Sequence, residues 1–390
     1  MFARLRLLTR LRLEWRLPKR VEVLIVFTDT SQQLREYFPH KEVGILDLDG
    51  QRRNVFALLL SIVYRRPSVL GYLAGYVAIT RPRLILSMQD NFRPLWQIKA
   101  LHPEVCIALV QNGLRSDQLG STPIHLEPER QVDHFFCFNA KAAEFLGNQV
   151  NANFIPSGSF RSNYTRPLLP VKQHLAYIST YRSDLSPLYV VNRREGQADI
   201  TYGEIWRLRL DVLHSIKRFC LTHDIRLRIL GKDLNHQSEE RFFAEALGEL
   251  SFDFVPRADQ SFQYAETDRA RVVVSTGSTL GLESLSRGNR TAIFDQMPPL
   301  LNQPSQRFGW PSVLPTEGPF WSETATYVRI ENVLRLLFES SDTEWQTILN
   351  AYREHLPVFD PGNSVFCDTL REFGAQLLPL PPSAISTSAD

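Results

Sequence analysis

Two α/β domains in series, each a parallel sheet covered by helices on both faces, are the architecture this sequence predicts. Three observations carry the prediction. The chain has 390 residues, beyond the size at which one hydrophobic core usually stops growing. Short apolar runs rich in β-formers alternate with helical stretches, and strand–helix–strand order yields parallel sheets. The alternation stops once, in the Pro-, Ser- and Gly-rich passage NFIPSGSFRSNYTRPLLPVK at 153–172, and then restarts, which places the domain boundary there.

In the first half, VEVLIVF (21–27), KEVGILDL (41–48), RLILSM (83–88), VCIALV (105–110) and DHFFCFN (133–139) read as strands. Several are too uniformly apolar for a sheet with one wet face. Helices are expected over 54–64, 69–78, 92–101 and 140–145. After the boundary the strands are HLAYIST (174–180), IRLRIL (225–230), DFVP (253–256), ARVVVST (270–276) and TAIFD (291–295). Helices fall near 204–222, 238–247 and from Thr279 onward. Beyond a Pro-rich loop, further helices are expected near 331–339, 344–355 and 363–378. The predicted organisation is an arm at 1–20, domains at 21–160 and 161–345, C-terminal helices at 346–378 and a disordered tail at 379–390.

Composition narrows the class of protein. Hydrophobic residues are 43% and charged residues 22% of the chain, close to the globular average. A net charge of +2 offers no whole-protein field for nucleic acid. Cys106, Cys137, Cys220 and Cys367 are far apart and form no C-x-x-C pair, so they read as reduced packing residues. The first twenty residues hold seven Lys or Arg and one Glu between leucines and Trp15, with no apolar run long enough for a signal peptide or a membrane span. A cytoplasmic protein is expected, with the arm either resting peripherally on the inner membrane or docked as an ordinary terminus.

Ligands of open parallel sheets bind at the carboxyl ends of the strands, so chemistry is sought there. The foremost candidate is Ser275-Thr276-Gly277-Ser278-Thr279, where a buried strand opens into a hydroxyl-rich turn and a helix. Backbone N–H groups, hydroxyls and the helix dipole converge there on an anion-sized space. Glu283, four residues after Thr279, projects from the same side of that helix. Ordinary capping by Ser278 or Thr279 explains the turn nearly as well. Asp29, Asp90 with Asn91, and Gln111-Asn112-Gly113-Leu114-Arg115 end strands of the first domain. A strand-end carboxylate such as Asp90 can serve as a general base, though turn formation is its commoner role. No P-loop, no G-x-G-x-x-G, no D-x-D and no metal-ligand spacing occurs, so neither cofactor nor metal is expected.

The run STGSTLGLESLSRG followed by TAIFD resembles the donor-binding strand–turn–helix of glycosyltransferases of the GT-B class. Together with IALVQNGLRSD and SGSFRSN it resembles a bacterial family of surface carbohydrate biosynthesis proteins. More loosely it is similar to capsule and lipopolysaccharide Kdo transferases, which use a CMP-sugar. The resemblance spans roughly 21–296 and implies two Rossmann-like domains with parallel sheets facing a central cleft. It also implies C-terminal helices that pack back toward the first domain, where the apolar stripe of Trp345, Ile348, Leu349 and Tyr352, at helical spacing, would find its partner surface. It implies contacts from Ser275, Thr276, Gly277, Ser278 and Thr279 to donor phosphates, with Glu283 taking a donor hydroxyl. Gly231 and Lys232, and Tyr181 and Arg182, are the strand-end residues that would border the nucleotide. A plain turn and a surface ion pair are equal alternatives for Lys232 and Arg182. Asp90, Asn112 and Arg115 would form the acceptor side, with Arg161 at the hinge.

The expected activity is metal-independent transfer of a sugar from a nucleotide-sugar donor to a glycan or lipid-linked glycan acceptor of the bacterial surface, lipopolysaccharide O-antigen or capsule. A nucleotide-sugar epimerase, a polyol-phosphate transferase and a non-catalytic nucleotide-binding homologue fit the same scaffold.

Overall fold

In the computed structural model, the described residues are 12–28, 31–48, 52–113, 118–119, 122–123, 131–148, 150–167, 173–192, 199–257, 260–303 and 307–379. Asp29, Arg115, residues 1–11 of the basic arm and the tail from Leu380 lie outside them. The chain divides into two compact units. The first comprises Met1–Gly113, Asp117–Phe160 and Gly362–Pro379, and the second is chiefly Arg161–Pro361.

The first unit is built on six parallel strands: β1 (Val23–Val26), β2 (Val43–Leu46), β3 (Leu84–Ser87), β4 (Cys106–Val110), β5 (Gln131–Cys137) and β6 (Asn151–Pro156), in the spatial order β6-β5-β4-β3-β1-β2. Leu24, Ile85, Ile107 and Phe135 are fully buried at its centre, as the apolar runs require. β6 lies in what reads from sequence as the start of the linker, because as an edge strand it stays partly exposed and lacks a continuous apolar run. The helix Ser364–Thr369 completes this unit, with Phe366 edge-on to Tyr37 at 5.5 Å and to Phe160 at 5.2 Å.

The second unit has a six-stranded parallel sheet of its own: β7 (His174–Ile178), β8 (Arg226–Leu230), β9 (Phe252–Val255), β10 (Val272–Ser275), β11 (Thr291–Phe294) and β12 (Trp321–Ser322), in the order β9-β8-β7-β10-β11-β12. The long helix Tyr202–His223 opens with a capping box between Thr201 and Glu204, which satisfies orphan amides at its start. Its Leu213, Ile216 and Phe219 are buried on the sheet.

One expectation is corrected here. The apolar stripe of Trp345, Ile348, Leu349 and Tyr352 does not serve the first unit. Trp345 and Leu349 are buried in the second unit's core, and the Trp345 indole donates to the Gly288 carbonyl at 2.7 Å. The helix Asp342–Asn350, which starts three residues before the boundary drawn at 345 and is capped by Ser341 and Glu344, finds its apolar partner within its own unit. The cysteines form no disulfide, and burial pushes the thiols of Cys106, Cys137 and Cys220 up to about 12. None is a ready nucleophile.

Candidate functional site

Strand order locates the ligand positions of each unit. In the second, the chain runs outward from β7 through β8 to β9, then crosses back to β10, so the strand order reverses between β7 and β10. Crevices at such switch points are where open α/β sheets take ligands. Ser179-Thr180-Tyr181 follows β7 and Thr276-Gly277-Ser278 follows β10.

The β10 turn is tightly made. Tyr177 Oη and Thr276 Oγ1 share a hydrogen bond at 3.3 Å, and the Ser275 hydroxyl accepts from the Ser278 amide at 3.2 Å. Gly277 has φ of 91°, and a Cβ there would lie 2.9 Å from the Asp295 carboxylate. A Cβ on Gly281 would come within 2.4 Å of Ser275. Both glycines are thus required by geometry. Ser275 and Thr276 spend their hydroxyls on the turn itself. Ser278 occupies the N-cap of the helix Thr279–Ser286, with extended backbone at φ −94° and ψ 137°, yet its side chain makes no cap hydrogen bond. The ordinary capping explanation therefore does not describe this turn. The Gly281 amide bonds the Ser278 carbonyl at 3.0 Å, while the Ser278 hydroxyl leaves the amides of the helix start uncapped. Glu283 is buried, and its carboxylate accepts from Tyr264 Oη at 2.9 Å.

The other proposed donor residues divide. Gly231 and Lys232 follow β8, where the loop is held by Glu239, a carboxylate the sequence reading did not single out. Glu239 has no solvent exposure. It accepts from the Lys232 amide at 3.0 Å, from the Asp233 amide at 2.9 Å, and from the Ser179 hydroxyl. Desolvation raises its pKa above the ordinary carboxylate value in spite of these donors. Asp233 in turn binds the Ser183 amide and, at 3.0 Å, the Ser183 hydroxyl, so the loops after β7 and β8 are cross-linked.

Arg182 is exposed and forked onto Asp184 at 3.0 and 2.6 Å. That is the surface ion pair of the alternative reading, and it leaves little of the guanidinium for a phosphate. Tyr181 stacks on Phe242 at 4.6 Å and meets Trp206 edge-on at 5.6 Å, a packing role.

A further cation emerges from the long helix. Arg209 lies over Trp206 at 5.5 Å, forms no ion pair among the described residues, and has a buried Nε without a hydrogen-bond partner. Its charge acts on Tyr177, Tyr202, Lys232 and Asp295, which places it at the same strand ends. The ammonium of Lys232 is held below the ordinary lysine value first by desolvation and then by Arg209, Arg182 and Arg257, although the residue as a whole is exposed. Asp295, after β11, is shifted upward by desolvation, with Arg209 acting the other way. Arg209 was missed because it sits mid-helix, where one Arg among several gives no sequence signal.

In the first unit the reversal lies between β1 and β3, and Asp90 is at it. Asp90 is fully buried; its Oδ1 accepts from the Asn112 amide at 3.4 Å and its carbonyl from the Trp96 indole at 2.7 Å. The structure therefore brings Asp90 and Asn112 together, with the carboxylate bracing the Asn112 turn. The Gln111 side chain donates to the Gly113 carbonyl at 2.8 Å and accepts from the Phe138 amide at 2.9 Å. Arg161 is the first residue of the main segment of the second unit. Among the described residues no cluster of His, Cys, Asp or Glu could hold a metal ion, and no helix is long and apolar enough to cross a membrane.

Known proteins share this design. A Listeria monocytogenes protein assigned as a UDP-N-acetylglucosamine 2-epimerase superposes with a TM-score of 0.56 at 12% identity, over 94% of this chain and 100% of that one. The UDP-GlcNAc 2-epimerase of Neisseria meningitidis bound to UDP-GlcNAc gives 0.51 at 10%, over 90% and 99%. The wall teichoic acid polymerase TagF soaked with CDPG gives 0.50 at 11%, over 90% and 88%. Likeness at such identity establishes a fold and no activity. No curated protein matches the sequence. The sequence comparison that does match covers residues 108–373, from within β4 through the whole sheet of the second unit to the C-terminal helix. With two Rossmann-like units of GT-B type beneath that match, the chain belongs to the O-antigen biosynthesis protein family.

Proposed function

We propose that the protein is a glycosyltransferase that moves a sugar from a nucleotide-activated donor to a growing surface glycan, with the donor phosphate at the β10 turn. The observation that carries this reading is the uncapped helix start at Ser278, at a strand-order reversal, with the unpaired Arg209 and the amino group of Lys232 on the same edge. Backbone amides and two cations there can stabilise a departing phosphate without a metal. Glu283 would take a donor hydroxyl, and Asp90 with Asn112 would serve the acceptor, a glycan or lipid-linked glycan. The protein would work on the cytoplasmic side.

Thermal-shift titration with CMP, UDP, GDP, ADP and TDP tests the donor site, because a ligand that binds only the native state raises the melting temperature. One nucleotide is expected to stabilise the wild type. Ser278→Ala and Arg209→Ala should each weaken it about tenfold, a loss of roughly 1.4 kcal/mol, with little change in the unliganded melting temperature. Wild-type affinity in both variants would remove the β10 turn from the site.

Turnover is expected to survive EDTA, since the leaving phosphate would meet Lys232 and Arg209. Loss on chelation, restored by Mg²⁺ or Mn²⁺, would overturn the cationic assignment. The likeness to epimerases supports a second reading, a nucleotide-sugar epimerase. Release of free UDP from a UDP-sugar without any acceptor would favour it, whereas a transferase requires the acceptor.

A further inference from the structure

The first unit carries another surface that the donor site does not use. A short strand at Arg12–Glu14 pairs in parallel with Arg52–Asn54. Asn54 caps the helix Val55–Val63 and donates from Nδ2 to the Arg16 carbonyl at 2.8 Å. The start of that helix is thereby tied to the segment around Trp15. On its inner side it packs closely on the helix Val69–Thr80: a Cβ on Gly75 would lie 2.6 Å from the Ala57 carbonyl. The opposite stripe, Phe56, Leu59, Ile62 and Val63, is turned to solvent at helical spacing, with Ile62 62% and Val63 71% exposed. Trp15 at 72%, Leu13 and Leu17 are exposed beside the helix start.

An apolar face of this extent on a monomer marks a contact surface, and its rim decides the occupant. Arg12, Arg16, Lys19 and Arg20 border one end, Arg52 the helix entry, and Arg65 and Arg66 the helix exit, all exposed. Glu14 is the one acidic residue in 12–20 and 52–69. A second copy would set these cations against their own kind. The chain's first eleven residues, which carry Arg4, Arg6 and Arg10 and no acid, would do the same. Apolar side chains between cations match the boundary of an anionic bilayer, where the apolar face enters the acyl edge and the cations meet headgroup phosphates.

We infer that this face docks on an anionic lipid surface, with the helix Val55–Val63 lying in the interfacial plane. The inference stands whether or not the donor-site reading holds. The test sediments the full chain with phosphatidylcholine vesicles, and with vesicles containing phosphatidylglycerol, at low and high salt. Two variants run alongside, Ile62→Ser/Val63→Ser and Arg65→Glu/Arg66→Glu; all four side chains are exposed, and melting temperatures confirm that both fold. The wild type is expected to sediment with the anionic vesicles alone and to be released by salt. The charge reversal should weaken binding about thirty-fold or more, each near-surface cation contributing roughly a fivefold factor. Sedimentation independent of phosphatidylglycerol, or equal in wild type and both variants, would overturn the inference. So would a concentration-dependent dimer abolished by Ile62→Ser/Val63→Ser, which would make the face a protein interface.

Discussion

Arg287→Ala is expected to destabilise the second unit by about 4 kcal/mol, read as a lower midpoint in urea denaturation followed by far-UV circular dichroism. The Arg287 side chain has no solvent exposure. Its Nε and Nη2 fork onto Asp268 at 2.9 and 2.5 Å, and Nη1 donates to the Ser162 carbonyl at 2.7 Å. The guanidinium also lies 5.4 Å from the Tyr264 ring and 5.2 Å from the Phe359 ring. Removing it takes the two-pronged fork from the buried Asp268 carboxylate, which keeps the Asn289 amide at 2.8 Å, and breaking one side of a buried pair is the costly outcome. Arg287→Lys should recover little, since an ammonium cannot reproduce the planar fork. The double variant Arg287→Met/Asp268→Leu should cost less than Arg287→Ala alone if the stranded charge is the cause. An Arg287→Ala midpoint equal to wild type would show that this network adds nothing to stability.

The second large effect is expected at Glu239. Glu239→Gln places an amide group against the Lys232 and Asp233 amides and the Ser179 hydroxyl, leaving at least one buried donor unsatisfied, at a cost of about 3 kcal/mol. Because burial raises this carboxyl's pKa, the native state holds its proton more tightly than the unfolded chain does. The stability from that difference is complete below the unfolded value near 4.5 and is lost as pH rises through the raised native value. The wild-type advantage over Glu239→Gln should therefore be largest below that unfolded value and narrow as pH rises, measured by urea titration at each pH. An advantage that widens with pH would mean that the native site favours the carboxylate. Nucleotide binding should weaken in this variant together with stability, because Glu239 fixes the Gly231–Asp233 loop.

Much of the fold was legible because a strand buried on both faces must be apolar without interruption: Val272–Val274 and Leu24–Val26 declare themselves. What escaped was structure whose cause is not local. The strand Trp321–Ser322 follows no apolar run and exists because β11 offers an unpaired edge. The antiparallel pair of Val190–Asn192 and Ile200–Thr201 is only three and two residues long, too short to show a period. At the candidate site, the β10 turn was readable as a turn from its own residues, since Gly277 and Gly281 stand where a Cβ would clash. Glu239 and Arg209 were not, because each acts on loops distant in sequence: Glu239 reaches Ser179 sixty residues away, and nothing in HQSEERFF distinguishes its buried acid from the exposed Glu240 beside it. Arg182 shows the opposite failure. Its position after β7 suited a phosphate, but Asp184 two residues later claims it.

The return of Gly362–Pro379 to the first unit has a consequence for biosynthesis. A ribosome delivers the six strands of the first sheet long before it delivers Phe366, whose ring contacts Tyr37, Phe38, Phe136 and Phe160. Those four aromatics wait without their cover while roughly two hundred residues of the second unit are translated, a delay of at least ~10 s at ordinary elongation rates. The nascent first unit thus passes through an interval of exposed aromatic surface, the kind of species that chaperones hold and that aggregates when crowded. A gene cut at the linker would make that interval permanent.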